Sequence, residues 1–248
     1  MQASVPLHDP AALLGRFAAA AAARGFREEP FGEVSGFPLL AFSRRTPGAR
    51  PRCYLSAGIH GDEPASSLAL LELLEAGAFD RRAHWFLCPL LNPVGLARRT
   101  RENAQGVDLN RDYRRPASVE AAAHIAWLRR QPNFDTTLCL HEDWESTGMY
   151  LYERALAPRP GLAEAILAST SRFVPIEPSG LIDGREALQG IIRPALAPAE
   201  MEQWPESVYL RDEHHVLLHY TFESPSQRAL AVRVAALRAA TETVLAGC

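Results

Sequence analysis

The feature that most constrains this chain is a set of short apolar runs alternating with helix-period segments. Residues 52–59 (R-C-Y-L-S-A-G-I), 84–91, 136–140 and 216–222 are too short and too evenly apolar for amphipathic helices. They read as strands buried on both faces, with 33–43 and 148–152 as further strands. Between them lie helical patterns. Residues 10–25 form one, and another follows Pro64 with Leu68, Leu70, Leu71, Leu73 and Leu74 on a helical period. Residues 119–130 and 226–246 give two more, the last carrying Leu230, Val234, Leu237 and Leu245 along one side. Residues 175–213, rich in Pro and Gly, show little periodicity. Strands alternating with helices predict an α/β fold whose mixed or largely parallel sheet is covered on both faces. Such sheets gather ligands at the carboxyl ends of their strands. His60, His141 and Glu223 each stand at or just past such an end.

Composition narrows the chemistry. The chain has 248 residues, 47% hydrophobic and 22% charged, enough for one sizeable domain over residues 1–248. All 26 of its Lys and Arg positions are arginine, against 29 carboxylates, for a net charge of −3. Without lysine, Schiff-base, pyridoxal-phosphate and Walker-A chemistry are closed to the chain acting alone. Arginine binds anions but is a poor general base. The near-neutral charge argues against nucleic acid as a partner. No apolar run approaches the roughly 20 residues of a membrane helix. The alanine-rich stretch 11–23 reads as a soluble helix rather than a signal peptide, being interrupted by Arg16 and preceded by Asp9. Cys53, Cys88, Cys139 and Cys248 form no C-x-x-C pair. Three of them lie in apolar runs, which predicts buried reduced thiols and a cytoplasmic location.

Four stretches hold residues suited to catalysis. His60-x-x-Glu63, at a strand-to-helix turn, could present an imidazole and a carboxylate to one metal ion. Alone the pair means little, since about 0.65 such pairs are expected by chance in a chain with this many His and Glu. His141 at the end of a second strand completes a two-His, one-Glu set with a fourth position open for water. The loop 98–111 is rich in arginine. It is either a solvated basic loop or a set of forks for an anionic group or oxyanion. Within it, Asp108 could orient a ligand histidine through its other ring nitrogen. Glu223 ends an apolar strand, where a carboxylate is costly to bury. It either serves as a general base or caps the following helix.

H-G-D-E at 60–63, T-R-E-N at 100–103, G-V-D-L-N-R at 106–111, strand-end His141 and T-F-E at 221–223 resemble the zinc carboxypeptidase family, in the expected order over roughly residues 52–225. That family is related to the aspartoacylase/succinylglutamate desuccinylase branch. The resemblance implies a mixed, mostly parallel sheet of about eight strands between helices. It implies one Zn2+ per chain on His60, Glu63 and His141, with Asp108 holding His60. Glu223 would be the base that activates water, and Arg101 would polarise the scissile carbonyl. Asn110 and Arg111 would grip the substrate's terminal carboxylate. The family's mobile pocket tyrosine is best matched by Tyr209, in a loop before Glu223, with Tyr150 and Tyr152 competing.

These residues lead to the expectation of a zinc metallocarboxypeptidase cleaving an amide bond next to a free carboxylate. Its substrate would be a small peptide or an N-acyl amino acid, the latter making it a deacylase. A catalytically silent anion-binding protein is a further alternative, disfavoured because all the presumed ligands and the base are present. The oligomeric state stays open.

Overall fold

The structure is a computed structural model that describes residues 7–156, 160–194 and 202–247, so Cys248 lies outside the described residues. The chain begins with α1 (Pro10–Ala23), β1 (Arg27–Val34), β2 (Phe37–Arg44), β3 (Arg52–Ser56) and α2 (Pro64–Ala76). It continues through β4 (His84–Cys88), α3 (Pro93–Arg98), α4 (Val119–Leu128), β5 (Thr136–Asp143), β6 (Tyr150–Ala155) and α5 (Ala163–Thr170). The last part comprises β7 (Leu181–Ile182), β8 (Arg185–Glu186), β9 (Ile191–Ile192), α6 (Glu206–His214), β10 (Leu218–Pro225) and α7 (Leu230–Ala246). Strands β7 and β8 make a separate small hairpin. The other eight form one mixed sheet in the order β1-β2-β4-β3-β5-β10-β6-β9. Four of its seven neighbouring pairs are parallel. The α/β expectation is met.

Three local expectations need correction. Residues 33–43 are not one strand. Ser35 and Gly36 both take positive φ, 51° and 81°, and this two-residue turn folds the segment into the β1–β2 hairpin. The unpatterned stretch before residue 213 contains α6, nine residues long, with Pro205 preceding its first turn. The strand expected over 216–222 runs instead from Leu218 to Pro225, so Glu223 lies within it.

Strand alternation divides the core. Leu55, Leu138, Leu140, Tyr220 and Phe222 point to one face, where α1, α2, α5 and α7 cover them. Tyr54, Phe86, Cys88 and Cys139 point to the other, against Ile125, Trp127 and Leu128 of α4 and Leu210 of α6. On that second face the side chains of β5, β10 and β6 also line an open cavity of about 1230 Å3. No helix among the described residues is long and apolar enough to cross a membrane.

A buried polar chain ties α4 and α6 to β3. Tyr54 Oη donates to Glu206 Oε1 at 2.6 Å and lies 2.9 Å from His124 Nε2. Tyr113 Oη stands 2.7 Å from His124 Nδ1. One polarity satisfies every member: Tyr113 donates to Nδ1 of a neutral His124, whose Nε2–H donates to Tyr54. Burial holds His124 down to about 3, from 6.5. The unfolded chain therefore binds this proton below pH 6.5 while the folded chain does not. The stability contributed by neutral His124 is present above pH 6.5 and is lost as pH falls toward 3. The advantage of wild type over His124→Asn in urea unfolding should shrink by about 2 kcal/mol between pH 7 and pH 5. A pH-independent difference would exclude a buried neutral His124.

Candidate active site

The turn between β3 and α2 sets the first part of the site. Gly58 has φ +63°, and a Cβ on Gly61 would lie 1.9 Å from the Gly95 carbonyl carbon. Only glycine lets the backbone pass this close to α3, which turns His60 inward. Glu63 precedes Pro64 at the start of α2. Parallel pairing of β3 with β5 brings His141 alongside.

Glu63 is the hub. Its Oε1 lies 2.5 Å from His60 Nδ1, and its Oε2 lies 3.0 Å from His141 Nδ1. The Glu142 backbone N–H also donates to Oε2, at 3.1 Å. All three side chains are buried, and one ligand atom from each lies within 4.8 Å of the others. Asp108 Oδ1 stands 3.2 Å from His60 Nε2. With Nε2–H donated to Asp108, the Nδ1 lone pair faces Glu63, and two such basic atoms approach to 2.5 Å only with a proton or a cation between them. This donor set therefore suits a metal site, and a metal is its natural occupant. Burial opposes the charge on His60, but Glu63 and Asp108 outweigh it and push its pKa up to about 9. Burial likewise works against ionised Glu63, yet the two imidazoles hold its carboxyl well below the ordinary range.

Glu142, next in chain to His141, anchors this corner from behind. It accepts from the Ala65 N–H at 2.6 Å and pairs with Arg233 of α7. Burial pushes its carboxyl up to about 7 against the pull of Arg233.

The remaining residues approach from three directions. Glu223 pairs in register with His141 on β5 and Tyr150 on β6, so the three side chains share one face. Burial pushes its carboxyl up to about 8, opposed by His141 and reinforced by Glu63. Arg101 lies against the cluster, with Nη2 3.0 Å from Asp108 Oδ2 and Nη1 3.2 Å from His60 Nδ1. Asp108 also caps the 3-10 turn Leu109–Arg111, accepting from the Asn110 N–H at 2.9 Å. Asn110 and Arg111 both line the cavity. The backbone N–H of Glu206 donates to Asn110 Oδ1 at 3.0 Å, which leaves the Asn110 amide nitrogen available to a ligand.

Tyr209 must be corrected. It lies on α6, is 3% exposed and packs its ring 5.8 Å from that of Tyr113, inside the core. Tyr150 and Tyr152 are the tyrosines that line the cavity. Two residues escaped the sequence reading. Glu206 is buried beneath the site, accepting from Ser56 Oγ at 2.9 Å as well as from Tyr54. Arg154, on β6, lines the cavity two and four residues from Tyr152 and Tyr150. The alternation of β6 was the available signal for Arg154, and nothing local marked Glu206.

Comparison with known proteins bears on the family and the fold. The family model for the succinylglutamate desuccinylase/aspartoacylase catalytic domain matches residues 49–174. Carboxypeptidase SOL1 of Arabidopsis thaliana is 34% identical over 137 residues, covering 44% of this chain and 27% of that protein. The match thus spans about a quarter of the length of that curated relative. A solved structure from Shewanella denitrificans OS217, provisionally named a metallopeptidase, superposes with a TM-score of 0.86 at 24% identity, covering 98% of this chain and 91% of that one. A metallo-carboxypeptidase from Pseudomonas aeruginosa, solved with (2-guanidinoethylmercapto)succinic acid, gives a TM-score of 0.66 at 18% identity, covering 94% and 68%.

Metal analysis after zinc loading and desalting should find about one ion per chain, since three protein ligands suffice for a tight site. Glu63→Ala and His141→Ala should each lose it. Full retention of metal in both variants would mean that the ion sits elsewhere.

Proposed function

The chain belongs to the succinylglutamate desuccinylase/aspartoacylase catalytic-domain family, which is zinc carboxypeptidase-like, and on that premise we propose that it is a zinc-dependent hydrolase of amide bonds next to a free carboxylate. One observation carries the reading. Glu223 stands beside His141 on an adjacent strand and faces the same open cavity as the buried His60–Glu63–His141 cluster.

His60, Glu63 and His141 would hold the ion. When bound, zinc supplies a Lewis acid that polarises a carbonyl and lowers the pKa of water. The chain's own groups do the rest. Glu223 takes a proton from the attacking water onto a carboxylate oxygen and returns it to the leaving amine, giving an acid and an amine as products. Arg101 offers its guanidinium to the developing oxyanion, a charge-assisted bond in a partly desolvated setting. The Asn110 amide and the Arg111 fork bind the terminal carboxylate. Asp108 keeps His60 in the tautomer that presents Nδ1.

The first reading of the substrate is a C-terminal peptide bond, making the protein a metallocarboxypeptidase. It is supported by the T-R-E-N and T-F-E motifs and by the name of the plant relative. The second is an N-acyl amino acid, supported by the name of the matching family. The P. aeruginosa relative, solved with a succinic acid derivative, supports a carboxylate-bearing substrate in either case. The buried thiols of Cys53, Cys88 and Cys139 support a reducing, cytoplasmic setting.

A panel of C-terminal dipeptides and N-acyl amino acids, assayed with the zinc-loaded protein, should show kcat/KM at least about tenfold higher for the peptides. The reverse order would select the deacylase, and no turnover of either class would end the hydrolase reading. Glu223→Gln should keep its zinc but lose about 100-fold or more in kcat, as removal of a general base does. Turnover near the wild-type rate would assign the base elsewhere.

A further inference from the structure

Segment 110–113, which carries Asn110 and Arg111, is clipped at both ends to residues 204–206. At one end the Glu206 backbone N–H donates to Asn110 Oδ1 at 3.0 Å. At the other the Tyr113 N–H donates to the Trp204 carbonyl at 3.1 Å, beside a parallel bridge between Asp112 and Trp204. The Glu206 contact decides which way the Asn110 amide faces. Reversing that amide would set its NH2 group against the Glu206 N–H, two donors with no acceptor between them. The Asn110 backbone is fixed separately, its N–H by Asp108 Oδ1 at 2.9 Å and its carbonyl by Arg111 Nη1 at 2.9 Å.

The place of that N–H is set in turn by the Glu206 side chain. Pro205 has no N–H and holds φ at −64°, so Glu206 carries the first N–H of α6. Its carboxylate reaches the sheet. Oε1 accepts from Tyr54 Oη at 2.6 Å, and Oε2 accepts from Ser56 Oγ at 2.9 Å and from Cys139 Sγ at 3.5 Å. Tyr54 also leads, through His124, to Tyr113, three residues after Asn110. Both ends of segment 110–113 therefore trace back to one carboxylate. Stability alone does not call for it. Glu206 is 1% exposed, these three donors are neutral, and burial pushes its carboxyl pKa up against the pull of the Tyr54 hydroxyl. An apolar or amide side chain would be cheaper to bury, but neither accepts on two oxygens.

We propose that Glu206 is a positioning residue for carboxylate recognition: its side chain, braced on Tyr54 and Ser56, holds the start of α6 where its backbone N–H turns the Asn110 amide nitrogen toward the terminal carboxylate of the substrate. Glu206 lies behind the cavity wall and acts through Asn110. The proposal rests on the reading of Asn110 and Arg111 as the clamp for that carboxylate.

The test is calorimetric titration of the zinc-loaded full chain with succinate, which offers a terminal carboxylate and no amide bond to cleave. Asn110→Ala and Glu206→Leu should each weaken binding at least about fivefold, and the double variant should bind within about twofold of the weaker single variant, because both changes remove one contact. Two independent losses would multiply instead, to about 25-fold. Glu206→Gln, which keeps an acceptor for Tyr54, should recover to within about threefold of wild type. Zinc content should stay at about one ion per chain in every variant, since no proposed ligand is changed. Circular dichroism checks that each variant folds. If Glu206→Leu does not, Ser56→Ala replaces it and should weaken binding at least about twofold alone, with no further effect beside Asn110→Ala. Multiplying losses, unchanged affinity in a folded Glu206→Leu, loss of zinc together with affinity, or no binding of succinate by wild type would overturn the proposal. Coupled losses in a protein that cleaves no amide would uphold the positioning role and remove the hydrolase reading. Amide hydrolysis with multiplying losses would do the opposite.

Discussion

One buried carboxylate organises the site. Among the described residues, Arg101 is the one arginine paired with Glu63, at 3.6 Å, and both Glu63 oxygens sit against imidazole nitrogens. Removing such a group from water is expensive unless hydrogen bonds and opposite charge replace the lost hydration. Here the replacement comes from two strand ends and one backbone N–H, and each depends on the sheet. Parallel pairing of β3 with β5 sets His60 and His141 side by side, ring centroids 5.0 Å apart. The Gly61 crossing against Gly95 lets the turn close, and the Glu142–Arg233 pair holds the end of β5 to α7. The fold thus gathers one carboxylate and two imidazoles whose ligand atoms lie within 4.8 Å of one another.

The cavity that opens from this hub is electrically uneven. Beside the metal candidates stand Glu63 and Glu223, with Arg101 drawn toward Asp108 behind them. At its lower end stand Arg154 and Arg211. The chain has no lysine, so every fixed positive charge in this cavity comes from arginine, whose fork favours carboxylates over point anions.

Much of this was legible in the residues, and the parts that were not have a common physical origin. The strand ends carrying His60, His141 and Glu223 could be read because a buried parallel strand announces itself as a short apolar run and its polar end stands out against it. The spacing of Asp108 from Asn110 and Arg111 was equally local. Helix α6 was hidden, because it is short and polar and is held by contacts distant in sequence, such as Glu206 with Tyr54 and Ser56. That loss misplaced Tyr209, which looked like a loop residue and is a core residue of α6. Arg154 was missed because its meaning depends on the register of β6 against β10, which no single stretch encodes. The β1–β2 turn at Ser35–Gly36 was a local signal that the apolar run around it obscured.

Zinc K-edge absorption of the loaded wild-type protein addresses the hub most directly. Two imidazole nitrogens and one carboxylate oxygen at about 2.0–2.2 Å, with light-atom scattering for a remaining open position, are expected from ligation by His60, Glu63 and His141. A sulfur shell near about 2.3 Å, or a spectrum unchanged by Glu63→Ala, would contradict the account.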